Sequence, residues 1–129
     1  MIHHVSLGVS DLARSTAFYT DVLEPLGYRI VYSEPNVSGY GREEGSDPFY
    51  VTQCDNAHAA GPGSHLAFAA ERRQAVDAFH ARGLALGGKD NGAPGIREAY
   101  SPDYYAAFLI DPDGHHIEAV CDHAGATER

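Results

Sequence analysis

HHVSLGVSDLARSTAFYTDVLEPLGY, residues 3–28, decides the fold because the chain echoes it further on. Slid forward by 61 positions, residues 4–28 fall on residues 65–89, HLAFAAERRQAVDAFHARGLALGGK. His4 lands on His65, Ala17 on Ala78, Phe18 on Phe79, Leu23 on Leu84 and Gly27 on Gly88. The apolar Val5 and Leu7 land on Leu66 and Phe68. These matches mark a strand, a helix face and a helix exit, so a chain of 129 residues reads as two copies of one unit. Two equivalent histidines, one per copy, are what a pseudo-twofold axis would bring together.

Each copy can be read locally. From His3 to Val9 the residues alternate, with Val5, Leu7 and Val9 on one face and His4, Ser6 and Gly8 on the other. Ser10 is the expected N-cap of a helix running from about Asp11 to Leu23 and ended by Pro25 and Gly27. Strands are expected at Tyr28–Ser33, Gly39–Arg42 and Phe49–Cys54. The second copy repeats the plan, with a strand at Ser64–Ala69 and a helix at Arg72–Ala85. Residues 89–95, KDNGAPG, read as an irregular loop with turn chemistry. Strands follow at Ile96–Tyr100, Tyr104–Ile110 and His115–Asp122, the last two joined by the tight DPDG turn at residues 111–114. The expected class is α+β: two βαβββ modules whose curved mixed sheets surround a central cleft, with helices outside. Module 1 spans about 1–57, module 2 about 62–123, and a small polar tail, 124–129, is expected to fray.

Composition narrows the function. Eighteen acids against nine Lys and Arg leave a formal charge of −9, which excludes nucleic acid and an anionic membrane surface as partners. Hydrophobic content of 43% suffices for a core but no run is long enough to span a bilayer. Cys54 and Cys121 form no CxxC pair and read as free thiols. With no secretory leader visible, they point to a reducing cytoplasm.

Strand parity selects three residues. If Val5, Leu7 and Val9 are covered by helix, His4 faces the cleft; Leu66 and Phe68 place His65 likewise; Ile117 and Ala119 place Glu118 there. Two imidazoles and one carboxylate suit a divalent metal, Fe, Mn, Ni, Co or Zn, with positions left open for substrate. His3 points away from His4, His58 lies between the copies and His80 is on a helix. His116 shares the face of Glu118, and His115 and His123 carry no signal.

HHVSLGVSDLARSTAFYTDVLEPLGY at 3–28, GSHLAFAA at 63–70 and FLIDPDGHHIEAV at 108–120 together resemble the vicinal oxygen chelate superfamily. Its members include glyoxalase I, bleomycin-resistance proteins, extradiol dioxygenases, fosfomycin-resistance proteins and methylmalonyl-CoA epimerases. The resemblance covers nearly the whole chain. It implies paired βαβββ modules around a divalent metal, with ligand positions that match His4, His65 and Glu118, and it implies a homodimer. Glyoxalase I-like members carry a further Glu on the last strand of module 1. Here that strand offers Tyr50 and Thr52 to the cleft, and Gln53 only through a bulge. Extradiol dioxygenases show a His and a Tyr ahead of the DP turn, where this chain has Tyr100 near the one place and Phe108 at the other. The expected activity is chelation of a small oxygenated substrate with Lewis-acid catalysis, of lyase, isomerase or dioxygenase type. The alternative is a sequestering protein of the bleomycin-resistance kind that does no chemistry. Tyr100 and Tyr105 are candidate proton-transfer groups. Tyr50, Thr52, Arg97 and Tyr104 are candidates for lining the pocket, Arg97 by meeting a carboxylate. Tyr104 and Tyr105 are neighbours on a strand, so only one of them can face inward. Asn91–Gly95 is a candidate rim.

Overall fold

The computed structural model describes residues 1–46 and 48–123; the tail at 124–129 lies outside the described residues. The chain runs β1 (Val5–Val9), α1 (Leu12–Leu23), a short 3-10 turn (Glu24–Leu26), β2 (Arg29–Glu34), β3 (Val37–Gly41), β4 (Phe49–Gln53), β5 (Leu66–Ala69), α2 (Arg73–Ala85), β6 (Lys89–Ile96), β7 (Tyr104–Ile110) and β8 (His116–Asp122). No helix among the described residues is long and apolar enough to cross a membrane.

The repeat is visible in the pairing. One sheet has the order β1-β4-β3-β2 and the other β5-β8-β7-β6. In each, the opening strand lies parallel to the closing strand, and the remaining neighbours are antiparallel. Both opening strands begin one residue after the expected histidine, so His4 and His65 hold equivalent places at the two strand entrances.

α1 forms because its apolar residues recur at helical spacing and its first turn is capped. The cap is Asp11, whose side chain accepts from the Arg14 amide, not the expected Ser10. Ser15, Phe18, Tyr19, Val22 and Leu23 form its buried stripe. Gly27, at φ 90°, closes the exit in the left-handed region that glycine adopts most readily. α2 buries Ala75, Val76 and Phe79, but Leu84, the counterpart of Leu23, is 44% exposed. The copies therefore differ in how far each helix is covered.

Both covered faces feed one core. Phe49 of β4 and Phe68 of β5 meet with ring centroids 5.1 Å apart. Arg82 of α2 donates to the Asp21 carbonyl and to Glu24 Oε1 at 2.8 Å.

The KDNGAPG segment is the main departure from expectation. It is a strand, β6, on the edge of the second sheet. Its register against β7 shifts between Asp90 and Gly92 and again between Gly92 and Gly95. An edge position and bulges tolerate the missing N–H of Pro94 and the glycines that read as a loop. The strand expected at Ile96–Tyr100 is correspondingly absent; β6 ends at Ile96 and residues 98–100 turn.

The DPDG turn does more than join β7 to β8. Asp111, 3% exposed, accepts from the Tyr19 hydroxyl at 2.5 Å with one oxygen and from the Asp113 and His115 amides with the other. Asp113 reaches into module 1: its carboxylate accepts from the Ser10 amide (2.9 Å), the Ser10 hydroxyl (2.6 Å) and the Ser15 hydroxyl, with Arg14 at 3.3 Å. His115 Nε2 lies 2.8 Å from the Gly8 carbonyl on β1. Ser10 and His115, read from sequence as a cap and as an uninformative residue, are parts of a latch between the modules.

Burial alone would raise the Asp113 pKa, but the Ser10 hydrogen bonds, the Arg14 charge and the Ser15 hydroxyl outweigh it and leave the group below its ordinary value. A lowered folded-state value gives stability that is complete above the unfolded carboxylate pKa and is lost as pH falls through the folded one. Asp113→Asn will therefore lower stability at pH 7 by about 1–2 kcal/mol, and the gap to wild type will close below roughly pH 4. Denaturant melts across pH check this; a gap that stays constant with pH rules out the carboxylate charge as the cause.

Candidate functional site

β5 and β8 run parallel with Ala67 opposite Glu118. His65, two residues before Ala67, therefore emerges on the same face as Glu118. His65 Nε2 lies 3.0 Å from Glu118 Oε1, and the Glu118 side chain is 1% exposed. A carboxylate buried this deeply is unfavourable without partners. The second partner comes from β7: the Tyr104 hydroxyl donates to Glu118 Oε2 at 2.5 Å. Burial first, then the hydrogen bond and negative charge of Glu118, push the Tyr104 phenol well above its ordinary range. At neutral pH it stays protonated and acts as a donor.

These residues open onto a cavity of about 340 Å³ lined by His65, Asn91, Tyr100, Tyr104, Phe108 and Glu118, with His116 at its edge. Its size suits a small molecule. Tyr100 is 66% exposed at the rim, its ring centroid 5.0 Å from that of Tyr104. Among the lining residues Glu118 is the sole carboxylate.

His4 is elsewhere. Its ring meets Tyr50 edge-on at 5.3 Å, and its Nδ1 lies 2.9 Å from that of His3. Tyr50 in turn meets Tyr32, and the Ser6 and Thr52 hydroxyls are 3.0 Å apart. His4, Ser6, Tyr50 and Thr52 thus gather on module 1, while His65, Tyr104 and Glu118 gather on module 2. Among the described residues no three His, Cys, Asp or Glu side chains converge on one point. One chain thus presents the three expected donors as a pair and a separate histidine.

The pair itself fits a metal. Two donors on adjacent octahedral positions, each about 2.1 Å from the ion, are about 3.0 Å apart; tetrahedral positions would place them at about 3.4 Å. The separation of 3.0 Å matches the former, and is also that of an ordinary hydrogen bond in the metal-free pair. Imidazole and carboxylate are suitable donors, but two are too few for a closed set.

The other candidates divide. Tyr105 does not face the cleft: it is 4% exposed, donates to Asp77 at 2.6 Å and lies under the Arg73 guanidinium. Alternation forces this, since Tyr104 takes the inward face. Gln53 does not enter the cleft either. Its amide oxygen accepts from the Leu12 amide and its nitrogen donates to the Ser10 carbonyl, which ties β4 to the start of α1. Arg97 lies over Phe108, its guanidinium carbon 5.4 Å from the ring centre. The partnership of Tyr104 with Glu118 was not foreseen; its signal is cross-strand parity, which sets both residues on one face of the β7–β8 pair.

Residues 1–119 match the family model for the Glyoxalase/Bleomycin resistance protein/Dioxygenase superfamily. The chain is similar to a glyoxalase/bleomycin resistance protein from Albidiferax ferrireducens T118, with 36% identity, a TM-score of 0.81, and coverage of 92% of this chain and 97% of that one. A glyoxalase-related enzyme from Fulvimarina pelagi shares 20% identity at a TM-score of 0.72, over 95% of this chain and 88% of that one. The fosfomycin resistance protein FosX of Listeria monocytogenes shares 20% identity at a TM-score of 0.67, over 97% and 95%. These last two likenesses speak for the fold. No curated protein matches the chain.

Proposed function

The chain belongs to the Glyoxalase/Bleomycin resistance protein/Dioxygenase superfamily, and from that premise we propose that it is a cytoplasmic, metal-dependent enzyme acting on a small oxygenated molecule. Its site combines His65 and Glu118 of one chain with His4 of a second copy in a homodimer. The observation that carries this is the His65–Glu118 pair at 3.0 Å on the wall of a small cavity, with no third donor beside it among the described residues. A separate module 1 face bearing His4, Tyr50 and Thr52 is the natural cover for that cavity when supplied by the other subunit, because a twofold axis makes each copy both donor and acceptor.

A bound divalent ion, Fe, Mn, Ni, Co or Zn, supplies Lewis acidity toward substrate oxygens. The protein's own groups set the rest. Tyr104 occupies one oxygen of Glu118 and leaves the other to bind, which fixes the carboxylate as a single-oxygen donor. Phe108 and Tyr100 supply aromatic surface to the cavity lining. With Tyr104 protonated and Glu118 engaged at both oxygens, the lining lacks a free carboxylate base. Chelation chemistry that abstracts no carbon-bound proton, as in the dioxygenase type, is therefore favoured over lyase or isomerase steps that would need a carboxylate base.

Loading the purified protein with each of the five metals and measuring metal content and mass together tests the reading. The expected result is a dimer carrying one ion per chain. A dimer that takes up none of the five in stoichiometric amount would favour sequestration of a small molecule without chemistry.

A further inference from the structure

We propose that Asn91 binds the end of the substrate remote from Glu118, through a neutral polar group, and that His80 and Asp90 position it for this. The proposal deepens the preceding reading and rests on it for the chelating end.

Parity and a bulge bring Asn91 to the cavity. Along β7, Tyr104 and Phe108 point to the Glu118 side, and Leu109 points the other way, into the core. Asp90 stands opposite Leu109 and Gly92 opposite Phe108, so Asn91 is an extra residue on β6. In such a bulge two residues oppose one on the partner strand, here Asn91 and Gly92 against Phe108. Of the two, only Asn91 can carry a side chain. A Cβ on Gly92 would come within 2.9 Å of the Phe108 ring, and its φ of +147° is one that side-chain-bearing residues rarely adopt. Asn91 is accordingly part of the cavity wall.

The bulge is held from the helix side. One oxygen of Asp90 accepts from the Gly92 amide and from His80 Nε2, each at 2.9 Å. His80 is buried on α2, at the place that Tyr19 takes in the first copy. The helix thus fixes residues 90–92 through a single carboxylate, and with them the direction of Asn91.

The lining selects the ligand group. Asn91 carries the one carboxamide there, and no described residue takes up its hydrogen bonds. Among the described residues no Lys or Arg lines the cavity, so a carboxylate at that end would meet no counter-ion. A carboxamide offers both an acceptor and donors, which suits an amide or a hydroxyl on the ligand. Gly92, beside Asn91, is two strand spacings from Glu118 by way of Phe108, roughly 10 Å between backbones. The ion and the two side chains fill part of that span and leave a few bonds for the ligand.

The test is a series of chelating probes titrated calorimetrically into the metal-loaded dimer. They are succinic, glutaric and adipic hydroxamic acids whose other end is a carboxamide, a carboxylate or an isopropyl group, the last of the same shape as the amide. Wild type should bind the carboxamide end most tightly at its best length. Asn91→Ala should weaken that probe about tenfold and leave the isopropyl probe unchanged. His80→Leu should act in the same selective way, whereas His80→Gln, whose amide can still donate to Asp90, should keep the preference. A merely structural role for His80 would weaken all probes alike or none. If Asn91→Ala keeps the carboxamide preference, or if the carboxylate end binds wild type most tightly, Asn91 is not the contact proposed. His65→Ala should weaken every probe. Loss there with no effect of Asn91→Ala would still uphold the chelating reading, and a wild type that binds no hydroxamate with any of the five metals would sink both.

Discussion

A heterodimer of one His4→Ala chain and one Glu118→Ala chain will bind metal that neither homodimer binds. If the site draws His4 from one copy and His65 with Glu118 from the other, the heterodimer contains one intact site and one site lacking both residues. Co-expression with two different tags and tandem purification isolates it. We expect one ion per heterodimer, and an affinity loss of roughly a thousandfold or more for each homodimeric variant, because removing one of three protein donors forfeits a large part of the binding free energy. The circular dichroism of both variants should match wild type, since His4 is exposed and Glu118→Gln can replace Glu118→Ala should the buried position prove sensitive. A heterodimer as empty as its parents would place all the ligands within one chain, against the separation of His4 from the His65–Glu118 pair.

The largest stability effect is expected at Asp111. Its carboxylate accepts from the Tyr19 hydroxyl and from two backbone amides of its own turn, and both Asp111 and Tyr19 are buried. Burial, then the charge and hydrogen bond of Asp111, hold the Tyr19 phenol well above its ordinary pKa, so it remains a donor throughout the range in which the protein is folded. Asp111→Ala strands two buried donors and one half-buried one at once and will cost about 3–5 kcal/mol, or roughly 10–20 °C in Tm. Tyr19→Phe leaves one carboxylate oxygen without its hydroxyl and will cost about 2 kcal/mol. The double variant should lose much less than the sum, because the two residues share one interaction. Thermal and denaturant melts measure all three. A loss below about 1 kcal/mol for Asp111→Ala would mean that water replaces Tyr19 and that the latch is not a determinant of stability.

The strands and helices that the sequence marks are those whose pattern is local. Val5, Leu7 and Val9 alternate and Phe18 and Val22 follow the helical period; Val9, Phe18 and Val22 are buried in the core and Leu7 packs against it. The repeat itself is legible because equivalent positions in the two copies meet equivalent packing: Phe18 and Phe79 are both fully buried. β6 is not legible, because what makes KDNGAPG a strand is its pairing with β7, a non-local contact that overrides the turn tendency of Asn91–Gly92 and Pro94–Gly95.

The site divides along the same line. Sequence parity alone singles out His4, His65 and Glu118 as candidates facing away from the helix-covered strand positions, and shows that a carboxylate follows the DPDG turn. Which of them meet is decided only by tertiary structure. Glu118 finds His65 because β5 and β8 are parallel neighbours in one sheet, whereas His4 belongs to another sheet whose position is fixed by the Asp111–Tyr19 and Asp113–Ser10 contacts. Periodicity reports the direction of a side chain from its own strand; the distance between two side chains on different sheets depends on how the modules are locked together, and no local pattern carries that.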